Sequence, residues 1–319
     1  MKRLIATSLL AFAACAGEPP EDPGLITFAE QVIEVPGFVD FLTIDGDTVW
    51  ATNRGQVEQW SRSGLVAKVE MPRPCGTMAA LEGSLWVANC PDANLYRIDM
   101  EGAKVEAILE TGIAEPRGET NVVAGAGSVW VPSDADGVIS RIDPATNEVI
   151  ARIEVVEGTF FLAFGMDALW AVSSGQKLLQ KIDPAANQVV ATVELGEQPG
   201  FLAAGEGAVW VQEQGAGTVA RIDPESVKVL GRTKVGDSLL YGDIDTGDGK
   251  VWLRTTEDQT FVVIDAETGE ILARVGRAEG SGAIRYTPDG VWTSAHDVYS
   301  INWWTKSEAQ AAAKAAASQ

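Results

Sequence analysis

The chain has 319 residues, 46% hydrophobic and 22% charged, with 33 glycines and a formal net charge of −21. Length and apolar content are ample for a large core that needs no metal or dense disulfides. Such negative charge repels phosphate backbones and excludes nucleic acid as a partner, while much glycine and few charges argue against long helices.

From the N-terminus, MKR is a basic start and LIATSLLAFAA (4–14) an apolar run too short to cross a bilayer. Residues 1–14 therefore read as a signal peptide. The FAAC stretch resembles the lipobox of bacterial lipoproteins, with Phe12 where that motif usually has Leu, and this makes Cys15 the lipidation site. Residues 15–24, rich in Pro and acid, read as a tether. The expected location is periplasmic or at the cell surface, with lipid as the only membrane attachment. An ordinary signal peptide cut nearby is the alternative.

LITFAEQVIEV (25–35) reads as a strand that stands before any repeat. Trp50, Trp86, Trp130, Trp170, Trp210, Trp252 and Trp292 then recur at spacings of 36, 44, 40, 40, 42 and 40. Twelve residues after the tryptophan come Ile98, Ile142, Ile182, Ile222 and Ile264, the isoleucines of RID or its relatives. The outer copies are shorter, with Trp60 10 after Trp50 and Ile301 9 after Trp292. Within one copy, GFLAAG, AVWVQE, TVARID and VKVLGRTKV are strands parted by the turns EG, GAG and PES. Four strands in a repeat of about 40 residues predict the blade of a β-propeller. Inner strands are apolar at nearly every position, as two covered faces require, whereas outer strands such as EVIARIEV alternate. Helical repeats lack such β-branched runs, and the Trp-Asp and Gly-His marks of WD40 blades are absent.

In the second repeat, Cys75 and Cys90 flank a strand, a Glu82-Gly83 turn and a second strand. In a hairpin centred there the two face one another, so a disulfide is geometrically reasonable in an exported protein. Two separately packed thiols are the alternative. The longest loop entering a first strand, ETGIAEPRGETN (110–121), belongs to the third repeat and accounts for the 44-residue spacing.

After Ile301 no fourth strand remains, so residues 25–35 are expected to complete the last blade near 298–303 and close the ring. The fold expected is all-β: a monomeric, seven-bladed propeller of four-stranded blades over 25–305. An Ala-rich tail (306–319) follows, too short for a stable helix alone.

LWVAN, RIDPATNEVIARIEV and EQPGFLAAGEGAVWV resemble seven-bladed YVTN-type propellers and those of streptogramin (virginiamycin B) lyase-like proteins, over residues 25–305. In such propellers ligands meet the loops that enter first strands and leave second strands. The lyase resemblance further implies a His general base and acidic residues holding Mg²⁺ on that face. Glu213 stands where that family often has an acid or Asn. Its His follows a Pro in an entering loop, but this chain has no Pro-His pair, and its one histidine, His296, ends the last blade's second strand.

Three residues after each repeat Trp stand Asn53, Asn89, Ser133, Ser173, Glu213, Thr255 and Ala295. They read either as strand ends meeting water or as a hydrogen-bonding ring at the channel mouth. The candidate mouth residues are Arg54, Arg117, Glu119 and Asn121, with Glu213, Tyr241, Arg285 and His296. Three arginines and an aromatic ring suit an anionic or sugar-like ligand. A His296–Asp297 dyad is disfavoured, because successive strand residues point to opposite faces. DADG (134–137) and DTGDG (245–249) resemble calcium-loop fragments but lack further ligands, and both fall at hairpin turns. The reading is a non-catalytic propeller that binds a small ligand or protein partner and carries no cofactor. The alternative is a lyase-like or hydrolase-type enzyme using His296 and Glu213, with a divalent metal.

Overall fold

Every repeat becomes one antiparallel four-stranded sheet in the computed structural model, and seven such sheets form. Residues 26–116, 119–239, 242–255 and 259–306 are described. The expected signal peptide, Cys15 with its tether, Arg117, Tyr241 and residues 307–319 lie outside them. Blade 5 shows the pattern, with strands Pro199–Gly205, Ala208–Glu213, Thr218–Asp223 and Lys228–Lys234 in order from the axis outward. The innermost strands of neighbouring blades touch all round the ring.

The apolar inner strands follow from blade stacking. Ala208–Glu213 is buried throughout, because a neighbouring blade covers each face. Each of seven core clusters draws on two adjacent blades. Trp50 of blade 1, for example, packs with Leu85 and Val87 of blade 2. The outer strand Gln188–Glu194 alternates between exposed and half-buried residues, since only one face meets protein.

The structure also accounts for the cation of RID. In blades 2 to 5 the repeat Trp pairs across the sheet with the residue 11 later, which is Arg97, Arg141, Lys181 or Arg221. Each cation lies over its own blade's indole, at 4.7 Å for Arg141 over Trp130. It then donates to a carbonyl in the outer turn of the next blade: Pro144, Pro184, Pro224 and Glu267 in turn. Arg141 also reaches Asn187 Oδ1 at 2.8 Å. The motif is thus a latch between blades. Arg141→Ala is expected to cost about 1–2 kcal/mol through lost stacking and hydrogen bonds. Arg141→Lys should recover part of that, since Lys181 serves in blade 4. Urea-unfolding midpoints check both.

The ring closes as the spare strand requires. Phe28–Glu34 pairs antiparallel with Ser300–Lys306, outermost in the sheet that also holds Ile284–Thr287 and Gly290–Ala295. The last strand runs to Lys306, so the pairing lies a few residues beyond 298–303. At this seam the latch is reversed: Trp303 faces Trp292, and Arg62 from blade 1 lies over Trp303.

Cys75 and Cys90 are joined in a disulfide with a Cα separation of 6.0 Å. They lie beyond the strand ends, not within the first two strands. The first strand of blade 2 is only Ala79–Leu81, and Cys90 follows Ser84–Asn89. The bridge therefore ties the entering loop of blade 2 to the exit of its second strand.

Candidate functional site

One face of the disc carries a cup of about 1000 Å³. Its walls come from the entering loops of blades 1, 2, 3 and 7 and the second-strand exits of blades 1 and 7. Phe38, Arg54, Arg73, Glu119 and His296 line it, with Asp40 and Phe41. Phe41 meets Phe201 across the axis at 5.9 Å between ring centroids, and Phe201 meets Phe161 at 4.8 Å. Three rings from blades 1, 4 and 5 thus fill the channel where Phe41 floors the cup.

The residues three after each repeat Trp are all buried. Of them Asn53 lines the cup. Ser133 and Thr255 bond within their own hairpins, to Val138 O and Gln259 O, whereas Asn53, Asn89, Ser173 and Glu213 hold entering loops. Asn53 Oδ1 accepts from Phe38 N–H at 2.6 Å, and its Nδ2 donates to Pro36 O at 2.9 Å. Asn89 Oδ1 accepts from Arg73 N–H, and Ser173 donates to Glu157 O. Glu213 is the charged version. Its carboxylate accepts from Gly196 N–H, Thr218 Oγ1 and Arg232 Nε at 2.6, 2.7 and 2.8 Å. Burial opposes its charge, but these donors together hold its pKa below the ordinary value.

Charge within the ring is arranged in pairs and fields. Arg285 forms an ion pair with Asp243, and Asp243 with Asp245 keeps its guanidinium charged against burial. Arg254, 1% exposed, donates to the carbonyls of Ser294, Thr255 and Thr260. Burial lowers its pKa to about 10, opposed by Glu279, Asp40 and Asp297. Asp40 and Glu119 face the cup. Burial, then repulsion from Glu119 and Asp243, raises Asp40 well above the usual carboxylate range. Burial and Asp243 raise Glu119 to about 7.

His296 stacks on Phe38 at 4.0 Å, and Arg54 covers the same Phe38 ring at 5.4 Å. Nδ1 of His296 lies 2.8 Å from Asp297 Oδ1, an ion pair only when the imidazole is protonated. The alternation argument against this pair does not apply, because the strand ends at Ala295 and both residues occupy a turn. Burial lowers the His296 pKa, against the pull of Asp297.

Of the sequence candidates, Arg54, Glu119 and His296 meet at the cup. Arg285 does not line it and is committed to Asp243. Asn121 is buried, with Nδ2 donating to Leu162 O of blade 4. Glu213 serves a loop of blade 5. The arginine cluster expected to take an anion is therefore not assembled among the described residues. Asp40 and Arg254 had no repeat mark to single them out; only the register of blades 1 and 6 reveals them.

Glu119 carries a pH signature. Its folded pKa exceeds its unfolded value, so the folded state holds more protons between about pH 4.5 and 7. Stability is therefore highest below that window and falls as pH rises through it, by on the order of 3 kcal/mol. Glu119→Gln should flatten most of this slope in unfolding free energies measured from pH 4.5 to 8. Asp40 shifts the same way and leaves a residue of it.

No protein-family model matches the chain, and no curated protein matches it. Solved structures do. A streptogramin B lyase superposes with TM-score 0.75 at 15% identity, covering 88% of this chain and 98% of the lyase. Selenomethionine-substituted virginiamycin B lyase from Staphylococcus aureus gives 0.69 at 15%, over 88% and 99%. The Cps50 (Swd1) propeller domain of Myceliophteria thermophila gives 0.71 at 13%, over 88% and 100%. Lyases and a Swd1 domain match with similar scores at 13–15% identity, so the likeness is one of fold.

Proposed function

We propose that this protein is an exported, lipid-anchored propeller that captures a small ligand in the cup at the channel mouth and releases it unchanged. The observation that carries this reading is the cup itself, floored by Phe41 and walled by Phe38, His296 and charged side chains of four blades. Concave, mostly apolar sites with a few convergent polar groups are the usual form of small-molecule sites.

The first and last described strands bear on how such an anchor would sit. Phe28 and Lys306 pair at the outer edge of blade 7, and Lys306 Nζ contacts Asp248 in a turn between first and second strands. Those turns lie on the face opposite the entering loops. A lipid on Cys15 would then hold the disc with its cup turned away from the membrane.

The two lyase neighbours and the His296–Asp297 contact favour a second reading, a lyase-like or hydrolase-type enzyme at the same mouth. A divalent metal fits poorly there. Glu213 is saturated by three donors, and no three His, Cys, Asp or Glu among the described residues converge as ligands.

The test is to purify the protein from membranes of its own source and identify what leaves with it on denaturation. A small molecule recovered intact with wild type and lost from Phe38→Ala supports the reading. A chemically altered molecule favours the enzyme. Fractionation of Cys15→Ser with soluble protein, against membrane-bound wild type, supports the anchor.

A further inference from the structure

We infer that the ligand of the cup carries a cationic nitrogen seated between Asp40 and Glu119, with a flat apolar body against Phe38 and Phe41. This rests on the cup being a binding site, and it reverses the ligand charge expected from the arginines.

Two arginines of the ring are already satisfied. Arg285 is neutralised by Asp243, and Arg254 spends its guanidinium on three backbone carbonyls. Arg54 lies over Phe38 at the rim and is exposed. None of these forms an ion pair with Asp40 or Glu119. Neither carboxyl has a hydrogen-bond or ion-pair partner among the described residues, yet both line the cup.

Glu119 and Asp243 repel Asp40, and Asp243 repels Glu119; the field of Arg254 opposes this at Asp40 without pairing it. A protein that needed them only for structure would pair them, as it pairs Asp243. An ammonium or amidinium placed between them replaces that repulsion by attraction, in a site where water screens weakly. An anion there would meet two carboxyls.

Size and lining define the rest of the ligand. The cup is far larger than an ion, at about 1000 Å³. Its apolar lining includes Phe38, Phe41, Pro72 and Pro74. A single amine is therefore too small an occupant. An amine on an aromatic or cyclic body fills the acid pair and the wall together.

The probes are three molecules that share an indole: tryptamine, indole-3-ethanol and indole-3-acetate. Each is titrated calorimetrically into the folded protein. Tryptamine should bind at least about tenfold tighter than the neutral alcohol, the scale of one charge-assisted hydrogen bond. Asp40→Asn and Glu119→Gln should each weaken tryptamine by about tenfold and leave indole-3-ethanol unchanged. Both variants keep side-chain shape and remove repulsion, so their unfolding midpoints should not fall.

Equal binding of all three probes overturns the inference, as does tryptamine binding that ignores both substitutions. If indole-3-acetate binds tightest and Phe38→Ala abolishes it, the cup is a binding site and only the ligand charge is wrong. If none of the three binds at millimolar concentration, the inference falls, and recovery of no small molecule from native membranes then takes the binding reading with it.

Discussion

A chain that begins at Pro36 should lose on the order of 5 kcal/mol of stability, because it lacks the strand that closes the ring. Phe28–Glu34 makes seven register pairs with Ser300–Lys306. Ile33 and Val35 are buried at the seam between blades 7 and 1, beside Val49 and Ile301. Val35 N–H also bonds to Tyr299 O at 2.7 Å, and Asn302 Nδ2 reaches Glu30. Burial of two such side chains contributes about 3–6 kcal/mol, before the ladder bonds are counted. The truncation also exposes Ser300–Lys306 as a bare edge, so self-association should appear with the loss of stability. Thermal unfolding should shift down by roughly 10 °C or more for a domain of this size. A peptide of residues 26–35 added in excess should restore much of the shift. An unchanged transition would show that the seam does not depend on this strand.

Arg254→Met should cost about 3–5 kcal/mol, the scale of removing one member of a buried charged network. The guanidinium satisfies three carbonyls at once: Ser294 in blade 7, and Thr255 and Thr260 in blade 6. It is also the positive charge facing Asp40, Glu279 and Asp297. A methionine fills much of the volume but takes three donations from the carbonyls, of which Thr260 O keeps only that of Thr255 N–H, and leaves the acids without this counter-charge. The Asp40 pKa should therefore rise further, and the pH slope of stability should steepen. Arg254→Lys keeps the charge without the planar fork, so it should recover only part of the loss. Denaturant midpoints at constant slope measure both. A loss below about 1 kcal/mol for the methionine variant would mean the loops around residues 255–260 find other donors.

The two results bear on how ring and site are linked. The first removes a contact that a repeat pattern announces by what it lacks. The second removes a side chain that no pattern announces. Trp292 has a third strand after it and no fourth, and LITFAEQVIEV has no repeat before it. Arg254 is one charged residue in an apolar strand, two places after a Trp that recurs seven times.

The repeat by itself determined the seven blades, the order of strands within them and the seam. Those features depend on which residues are apolar and at what spacing, and sequence carries both directly. It also placed Cys75 opposite Cys90, because a hairpin fixes its own register. The site was decided elsewhere. Asp40, Glu119 and His296 come from blades 1, 3 and 7 and meet only because the ring brings its ends together. The direction of a side chain at a strand end depends on where the strand stops. His296 and Asp297 touch because the strand ends at Ala295, and Glu213 turns into its own loop because Arg232 and Gly196 await it there. Arg285 looks like a ligand anchor until Asp243, 42 residues earlier, is found beside it. Charge pairing across blades is a property of closure, and closure decides which charges remain free to meet a ligand.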